Sequence, residues 1–189
     1  MTKYKNKYRA ETTRAKWWNY GNNAAYFIII MTNKRNHYFG QIVEGKMNFS
    51  EIGVIANKYW IEIPKHFHIV KLGRFVVMPN HVHGIVIIDK NDVIEMKNNN
   101  IFVDTQNFAY LQPQQFEPGN KFGPQSQNMS SIVRGYKTGV TVFARKNNID
   151  FKWQSRFYDH IIRDEESFKN ISNYIENNQQ NWQTDKYYN

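Results

Sequence analysis

Two histidines one residue apart, His81 and His83, have the type and spacing that a metal centre needs. On a β-strand the side chains at positions i and i+2 point to the same face. Two imidazoles held in this way can bind one divalent ion and leave coordination positions open for water or a substrate oxygen, which catalysis requires. The alternative is that each ring hydrogen-bonds a neighbour. A second pair, His66 and His68, follows Pro64, and we expect it to be structural or exposed.

A tyrosine and an asparagine four residues apart, Tyr174 and Asn178, share a face if the end of the chain is helical. A phenol is a weak nucleophile at neutral pH, because its ordinary pKa is about 10. A nearby metal stabilises the charge that develops when the oxygen attacks a phosphate, and an amide oxygen one turn later can help to hold that metal. Most of the twelve tyrosines should be packing residues. The chief rival nucleophile is Tyr158, which stands beside Asp159 and His160.

The charge distribution indicates a polyanionic partner. Lys and Arg number 25 against 16 Asp and Glu, giving a net charge of +9, and 16% of the residues are aromatic. Cations neutralise phosphates and flat rings stack on bases, so the basic, aromatic N-terminus suits a nucleic-acid arm. The candidate phosphate contacts are Arg9, Arg14 and Lys16 in the arm, and Arg134 and Lys137 on a predicted helix. The alternatives are a solubilising tail and a solvated helix edge.

The predicted elements alternate between strands and helices in an order that indicates a ferredoxin-like fold. Strands are predicted over 24–32, 67–77, 81–88 and 152–163, and helices over 50–60, 130–146 and from 164 to about 180. Ser50 and Asp164 are the expected N-caps, and Pro64 is expected to end the first helix. Residues 33–45 are predicted to form a loop or hairpin. The split βαβ order predicts an α+β fold, RRM-like, in which helices lie on one face of an antiparallel sheet.

The domain organisation follows from composition. Residues 1–20 are predicted to be a basic arm, 21–183 the folded domain, and 184–189 a tail. Within the domain, about 90–128 is rich in Asn and Gln and lacks a sustained period, so we expect a long insertion or flexible loop.

Several classes of protein are excluded by composition. The chain has no cysteine, which rules out a disulfide scaffold, a thiolate zinc site and a cysteine nucleophile. Its apolar runs, such as residues 26–31, are too short to span a bilayer, and no signal peptide opens the sequence. A cytoplasmic protein is the expectation.

The run of residues 75–87, FVVMPNHVHGIVI, resembles the signature strand of the HUH-superfamily tyrosine transposases, named for histidine, a bulky apolar residue and histidine. The branch it most resembles is that of the REP-associated tyrosine transposases. Further segments resemble the family in order: residues 26–29, 39–43, 131–137, 153–163 and 174–178. The resemblance covers about 20–183. Departures are the longer stretch after the histidine strand and Gln179, where many relatives have proline.

The resemblance implies a single-stranded DNA endonuclease and strand transferase that acts on hairpin-forming palindromic DNA. It implies that His81, His83 and Asn178 bind Mg²⁺ or Mn²⁺ and that Tyr174 forms a 5′-phosphotyrosine intermediate. The enzyme would be a monomer or homodimer in the bacterial cytoplasm, associated with the nucleoid while it acts. The alternative is a non-catalytic, RRM-like module that binds single strands, although its RNP pattern is absent. Replication initiators and relaxases share the chemistry but usually carry further domains.

Overall fold

A computed structural model describes the backbone at residues 3–4 and 7–8 and the chain over 18–90 and 127–188. The strands are β1 (Lys3–Tyr4), β2 (Lys7–Tyr8), β3 (Ala24–Met31), β4 (Gly40–Val43), β5 (Lys46–Phe49), β6 (Val70–Met78), β7 (His81–Ile88) and β8 (Tyr158–Ile162). The helices are α1 (Glu51–Ile61), α2 (Ile63–His66), α3 (Met129–Lys146) and α4 (Glu165–Asn177), with 3₁₀ turns at Asn33–Arg35 and Trp182–Thr184. No helix in these described stretches is both long and apolar enough to cross a membrane.

The main sheet has four antiparallel strands in the order β6-β7-β3-β8. Strands β6 and β7 are consecutive, whereas β3 leads to β6 through α1, and β7 leads to β8 through α3. Strand β7 lies between β3 and β6, which is the split βαβ arrangement. This topology confirms the α+β fold predicted from the sequence. The hairpins β1-β2 and β4-β5 form separate two-stranded sheets.

Both faces of the main sheet are covered, and β3 and β7 are therefore buried along their whole length. Helices α1 and α3 pack on one face, where Trp60 and Tyr136 join the core around Tyr26. Helix α4 covers the opposite face, where Phe168 joins the core that includes Phe27. The prediction of helices on one face therefore describes α1 and α3, and α4 adds the second layer that an apolar central sheet requires.

The predicted N-caps are both confirmed. The Ser50 hydroxyl accepts a hydrogen bond from the Gly53 amide at 3.1 Å at the start of α1, and Asp164 Oδ1 accepts one from the Ser167 amide at 2.7 Å at the start of α4. The prediction about Pro64 is wrong, since α1 ends at Ile61 and Pro64 lies in the first turn of α2. Proline is tolerated there because that turn's amides have no helical acceptor in any case.

The strand predicted over 152–163 is shorter than expected, because β8 spans Tyr158–Ile162 and Trp153 forms only an isolated bridge with Thr32. Arg156 has a φ of 67°, a left-handed conformation that interrupts a strand. The carbonyls of Gln154 and Arg156 accept hydrogen bonds from Lys137 Nζ at 2.7 and 3.2 Å. A contact from α3 therefore braces the loop that precedes β8.

Candidate metal and tyrosine site

The two histidines lie at the start of β7 and point to the face that α4 covers. Their rings are fully buried, and the ring centroids are 4.2 Å apart. The His83 ring stacks on Phe27 at 5.6 Å. On the opposite face Gly84 makes room for Trp60, since a Cβ at this position would overlap the Trp60 ring. Strand β7 therefore packs against Trp60 on one face and presents the histidine pair on the other.

The buried rings leave nitrogen atoms without hydrogen-bond partners. Among the described residues, His81 Nε2 and both His83 ring nitrogens find no donor or acceptor. Burial lowers the pKa of His83 to about 4, and burial followed by the neighbouring His83 and Arg35 holds the pKa of His81 well below its usual range. Both rings are thus neutral at physiological pH, which is the state in which imidazole binds a metal. A buried polar atom without a partner is costly, so such atoms call for a functional explanation.

A carboxylate completes a group of three possible metal ligands. One ligand atom each from His81, His83 and Asp185 lie within 4.8 Å of one another, a group identified within the described part of the chain. Asp185 follows the 3₁₀ turn at Trp182–Thr184, and its Oδ1 accepts a hydrogen bond from the Tyr187 amide at 2.6 Å. The ring of Tyr187 packs against His81, with centroids 5.1 Å apart.

Helix α4 brings Tyr174 to the same place. The Tyr174 hydroxyl donates to Asp185 Oδ2 at 3.3 Å, and its ring lies edge-on to His83 with centroids 5.3 Å apart. The side chain is 44% exposed, so its hydroxyl lies at the border between the buried histidines and solvent. Burial and the Asp185 charge raise the pKa of Tyr174 to about 12, and the phenol is therefore a protonated donor at neutral pH.

Asn178 lies at the C-cap of α4, one turn after Tyr174, and is buried. Its amide nitrogen donates to Asp185 Oδ2 at 2.9 Å, while its Oδ1 has no hydrogen-bond partner among the described residues. The structure thus places all four predicted residues of the metal and tyrosine site near Asp185. Asn178 touches the carboxylate through its nitrogen, and its role as a ligand stays a prediction.

Sequence reasoning missed Asp185, because it falls in the predicted tail over 184–189. No motif or helical spacing marks it, since it follows Tyr174 by eleven residues across a turn. The one available signal was a carboxylate that follows Trp182 close to a predicted catalytic helix.

The rival tyrosine, Tyr158, stands on the same sheet face as the histidines but farther away. Ile29 of β3 pairs with His83 on one side and with Tyr158 on the other. Two strand spacings, about 10 Å, therefore separate the Cα atoms of Tyr158 and His83. The fixed position of Tyr158 on β8 places it farther from the histidines than Tyr174.

The predicted phosphate contacts on α3 border a basic groove. This cavity of about 430 Å³ is lined by ten residues, among them Arg134, Lys137, Arg145, Arg156 and Phe157, and no acidic side chain is among its lining residues in the described structure. Lys137 is more constrained than a solvated lysine at a helix edge would be, since its ammonium donates to two carbonyls and lies 5.6 Å from the Trp153 ring centroid. Burial lowers its pKa. Arg9, Arg14 and Lys16 lie outside the described residues, as does nearly all of the insertion predicted over 90–128.

Comparison with known proteins gives one relative by sequence. No family model matches the chain. An uncharacterized protein of Haemophilus influenzae is 38% identical over 176 residues, which are 93% of this chain and 91% of that protein. The chain belongs to the same family as that protein.

Among solved structures, the chain is similar to a REP-associated tyrosine transposase bound to a REP hairpin. The TM-score is 0.52 and the sequence identity is 14%, over 88% of this chain and 70% of that one. At this identity the likeness shows a shared fold.

Proposed function

We propose that the chain is a metal-dependent endonuclease and strand transferase that acts on single-stranded, hairpin-forming DNA through a phosphotyrosine intermediate. The observation that carries this proposal is the convergence of two buried, neutral histidines, one carboxylate and the hydroxyl of Tyr174. The fold shared with a REP-associated tyrosine transposase supports it. The buried rings favour a catalytic site over a non-catalytic RRM-like module, in which nothing would offset the cost of unpaired nitrogens.

The residues present fit a divalent cation. His81 Nε2, a ring nitrogen of His83 and the Asp185 carboxylate would hold it, and Asn178 Oδ1 is the further oxygen ligand that we propose. Nitrogen and oxygen donors of this kind suit Mn²⁺, while Mg²⁺ prefers the oxygen donors. A bound cation would neutralise oxygens of the scissile phosphate and stabilise the charge that develops when phosphorus is attacked.

Tyr174 supplies the nucleophile in this proposal. Its Oη forms a bond to phosphorus as the bond from phosphorus to the 3′ oxygen breaks, which leaves a 5′-phosphotyrosine and a free 3′ hydroxyl. Asp185 Oδ2 orients the phenol, solvent at the exposed edge of the site takes its proton, and the departing 3′ oxygen takes a proton from solvent. Because the ester bond is exchanged and not hydrolysed, a 3′ hydroxyl on another strand can reverse the step without ATP.

The position of Tyr174 suits strand transfer. It lies on α4, which covers one face of the sheet, is partly exposed, and is followed by a short 3₁₀ turn. Peripheral, partly exposed helices open at lower free energy than buried central strands, and a tethered DNA end must move between the two strands that it joins. Tyr158 on the sheet has less freedom to do so.

The DNA itself would be held by basic surfaces away from the metal site. We propose that Arg134, together with Arg145 and Arg156 of the groove, contacts backbone phosphates, and that Lys137 both braces the loop at Gln154 and adds to the positive field. The arm residues Arg9, Arg14 and Lys16 are proposed to contact the stem of the hairpin, in keeping with the net charge of +9.

The proposal is tested with end-labelled oligonucleotides taken from palindromic DNA that flanks the gene, incubated with Mg²⁺ or Mn²⁺. The wild type should nick the DNA and form an adduct that survives a denaturing gel. Tyr174→Phe should bind the DNA but form neither nick nor adduct, whereas the matched control Tyr158→Phe should form both. An adduct that persists in Tyr174→Phe and disappears in Tyr158→Phe would contradict the assignment.

The metal ligands are tested separately. His81→Ala and His83→Ala should abolish cleavage and keep most of the DNA affinity, because the phosphate contacts lie elsewhere. Asp185→Asn should raise the metal concentration needed for cleavage more than Asn178→Ala does, since it removes a charge as well as an oxygen donor. Undiminished cleavage by the double histidine variant would exclude this metal site.

A further inference from the structure

Asn80 occupies the turn between β6 and β7 and is fully buried beside the histidine pair. Its Oδ1 lies 2.6 Å from His81 Nδ1, and its Nδ2 donates to the Tyr187 carbonyl at 2.9 Å. Both ends of its side chain are thus engaged, one with a proposed metal ligand and the other with the segment that carries Asp185.

The donor and acceptor roles in these two contacts determine which ring nitrogen of His81 carries the hydrogen. A backbone carbonyl only accepts hydrogen bonds, so the group of Asn80 that faces Tyr187 must be the NH₂. The carbonyl oxygen of Asn80 therefore faces His81, and it too can only accept. His81 Nδ1 must then carry the hydrogen of the neutral ring, and the lone pair of the ring is left on Nε2. Nε2 is the His81 atom that has no hydrogen-bond partner within the described residues.

The backbone of Asn80 adds a third connection. Its carbonyl accepts from the Thr32 amide at 2.9 Å, and the Thr32 hydroxyl shares its one proton between this carbonyl at 2.9 Å and the Asn36 carbonyl at 2.7 Å. Thr32 begins the 3₁₀ turn that carries Arg35, whose guanidinium carbon lies 5.6 Å from the Tyr187 ring centroid. One residue thus joins the histidine strand, the turn after β3 and the C-terminal segment.

We propose that Asn80 is a positioning residue that holds His81 in the Nδ1–H tautomer and anchors the segment bearing Asp185. With both in place, the Nε2 lone pair and the carboxylate are oriented before a metal binds, which lowers the cost of ordering them on binding. The use of this geometry for catalysis rests on the proposed function, but the tautomer and the anchoring do not.

Two substitutions separate the two roles. Asn80→Asp keeps an oxygen that accepts from His81 Nδ1 but replaces the donor to the Tyr187 carbonyl, whereas Asn80→Ala removes both contacts. Thr32→Val is the matched control, because it removes the hydroxyl contacts with the Asn80 and Asn36 carbonyls and leaves the Asn80 side chain intact. If Asn80 merely held the turn together, Thr32→Val and Asn80→Ala would have the same effect on the His81 tautomer and on metal affinity.

The direct readout is the ¹⁵N NMR spectrum of the His81 ring in the metal-free protein. The wild type, Asn80→Asp and Thr32→Val should show a protonated Nδ1 and a bare Nε2, and Asn80→Ala should gain the opposite tautomer. Hydrogen exchange at the Tyr187 amide, which is bonded to Asp185, should speed up in Asn80→Asp and Asn80→Ala. A protonated Nε2 in the wild type would overturn the proposal without any variant having to fold.

The second readout is the affinity for Mn²⁺ alone, measured by the loss of the free-ion electron paramagnetic resonance signal. Substitution of a residue that orients a ligand typically weakens metal binding by about 10- to 100-fold, and we expect that loss in Asn80→Ala but not in Thr32→Val. Unchanged Mn²⁺ affinity and an unchanged tautomer in Asn80→Ala would refute the positioning role. Failure to nick DNA would count against the proposed function alone, since neither readout requires cleavage.

Discussion

Replacing His83 with leucine should stabilise the metal-free protein while destroying its metal site. Both His83 ring nitrogens are buried and, within the described residues, unpartnered. An unsatisfied buried polar group costs about 1–3 kcal/mol. Leucine is close to histidine in volume and carries no polar atom. Against this gain stand the repacking of a similar-sized side chain, less than about 1.5 kcal/mol, and the lost stacking on Phe27, about 1 kcal/mol. The two unpaired nitrogens together cost about 2–6 kcal/mol, so after these losses the net expectation is a gain of up to about 3 kcal/mol at pH 8.

The same substitution should remove a pH dependence. The pKa of His83 is lowered to about 4 in the folded state from an unfolded value of 6.5. As the pH falls, the unfolded state therefore binds the proton first. The contribution of the neutral His83 ring to the free energy of unfolding is fully present above pH 6.5 and is lost as the pH falls towards 4. A shift of this size corresponds to about 3 kcal/mol. The advantage of His83→Leu over the wild type should accordingly widen by about 2 kcal/mol between pH 8 and pH 5.

Urea unfolding in the presence of EDTA, followed by tryptophan fluorescence at pH 8 and pH 5, measures both effects. Ile85→Leu is the matched control, because Ile85 is fully buried on the same face of the same strand but carries no polar atom. It should be no more stable than the wild type at either pH. A His83→Leu protein that is less stable than the wild type at pH 8, with no change in the gap at pH 5, would show that the ring is satisfied and that the argument from unpaired nitrogens fails.

Three further changes test the supporting structure. Gly84→Ala should destabilise the protein by about 1–3 kcal/mol in chemical unfolding, because the new methyl group overlaps the Trp60 ring; wild-type stability would show that the tryptophan moves freely. Asp164→Ala should lower the melting temperature at neutral pH and less so in acid, since the Ser167 amide holds the pKa of the Asp164 carboxyl below its usual value and its contribution is lost as the pH falls; an equal deficit at both pH values would refute the cap. Arg134→Gln should weaken DNA binding and reduce its salt dependence by about one counterion, and an unchanged salt slope would place the DNA elsewhere.

The strands that hold the site could be predicted from the sequence because their patterns are local. Strands β3 and β7 are apolar on both faces, which is typical of central strands. The helix starts at Ser50 and Asp164 depend only on the three residues that follow each cap. The i, i+2 spacing of His81 and His83 places both rings on one face as soon as β7 is recognised.

What could not be predicted depends on contacts between distant parts of the chain. Asp185 reaches the site through a turn after α4, and its partners Tyr174 and Asn178 lie on that helix. In the sequence Asn80 has the pattern of an ordinary turn residue, and its bonds to Thr32 and to the Tyr187 carbonyl, 107 residues later, become visible only in the structure. The loop before β8 is likewise held by Lys137 of α3. No local pattern records these pairings.

The most direct test of the central claim is to trap the covalent intermediate and identify the modified residue. The wild-type protein is incubated with a metal ion and hairpin-forming DNA, digested with protease and nuclease, and analysed by tandem mass spectrometry. The account predicts a nucleotide joined through its 5′ phosphate to the peptide that contains Tyr174. A nucleotide attached to Tyr158 or to any other residue, or cleavage that leaves no protein–DNA bond, would contradict it.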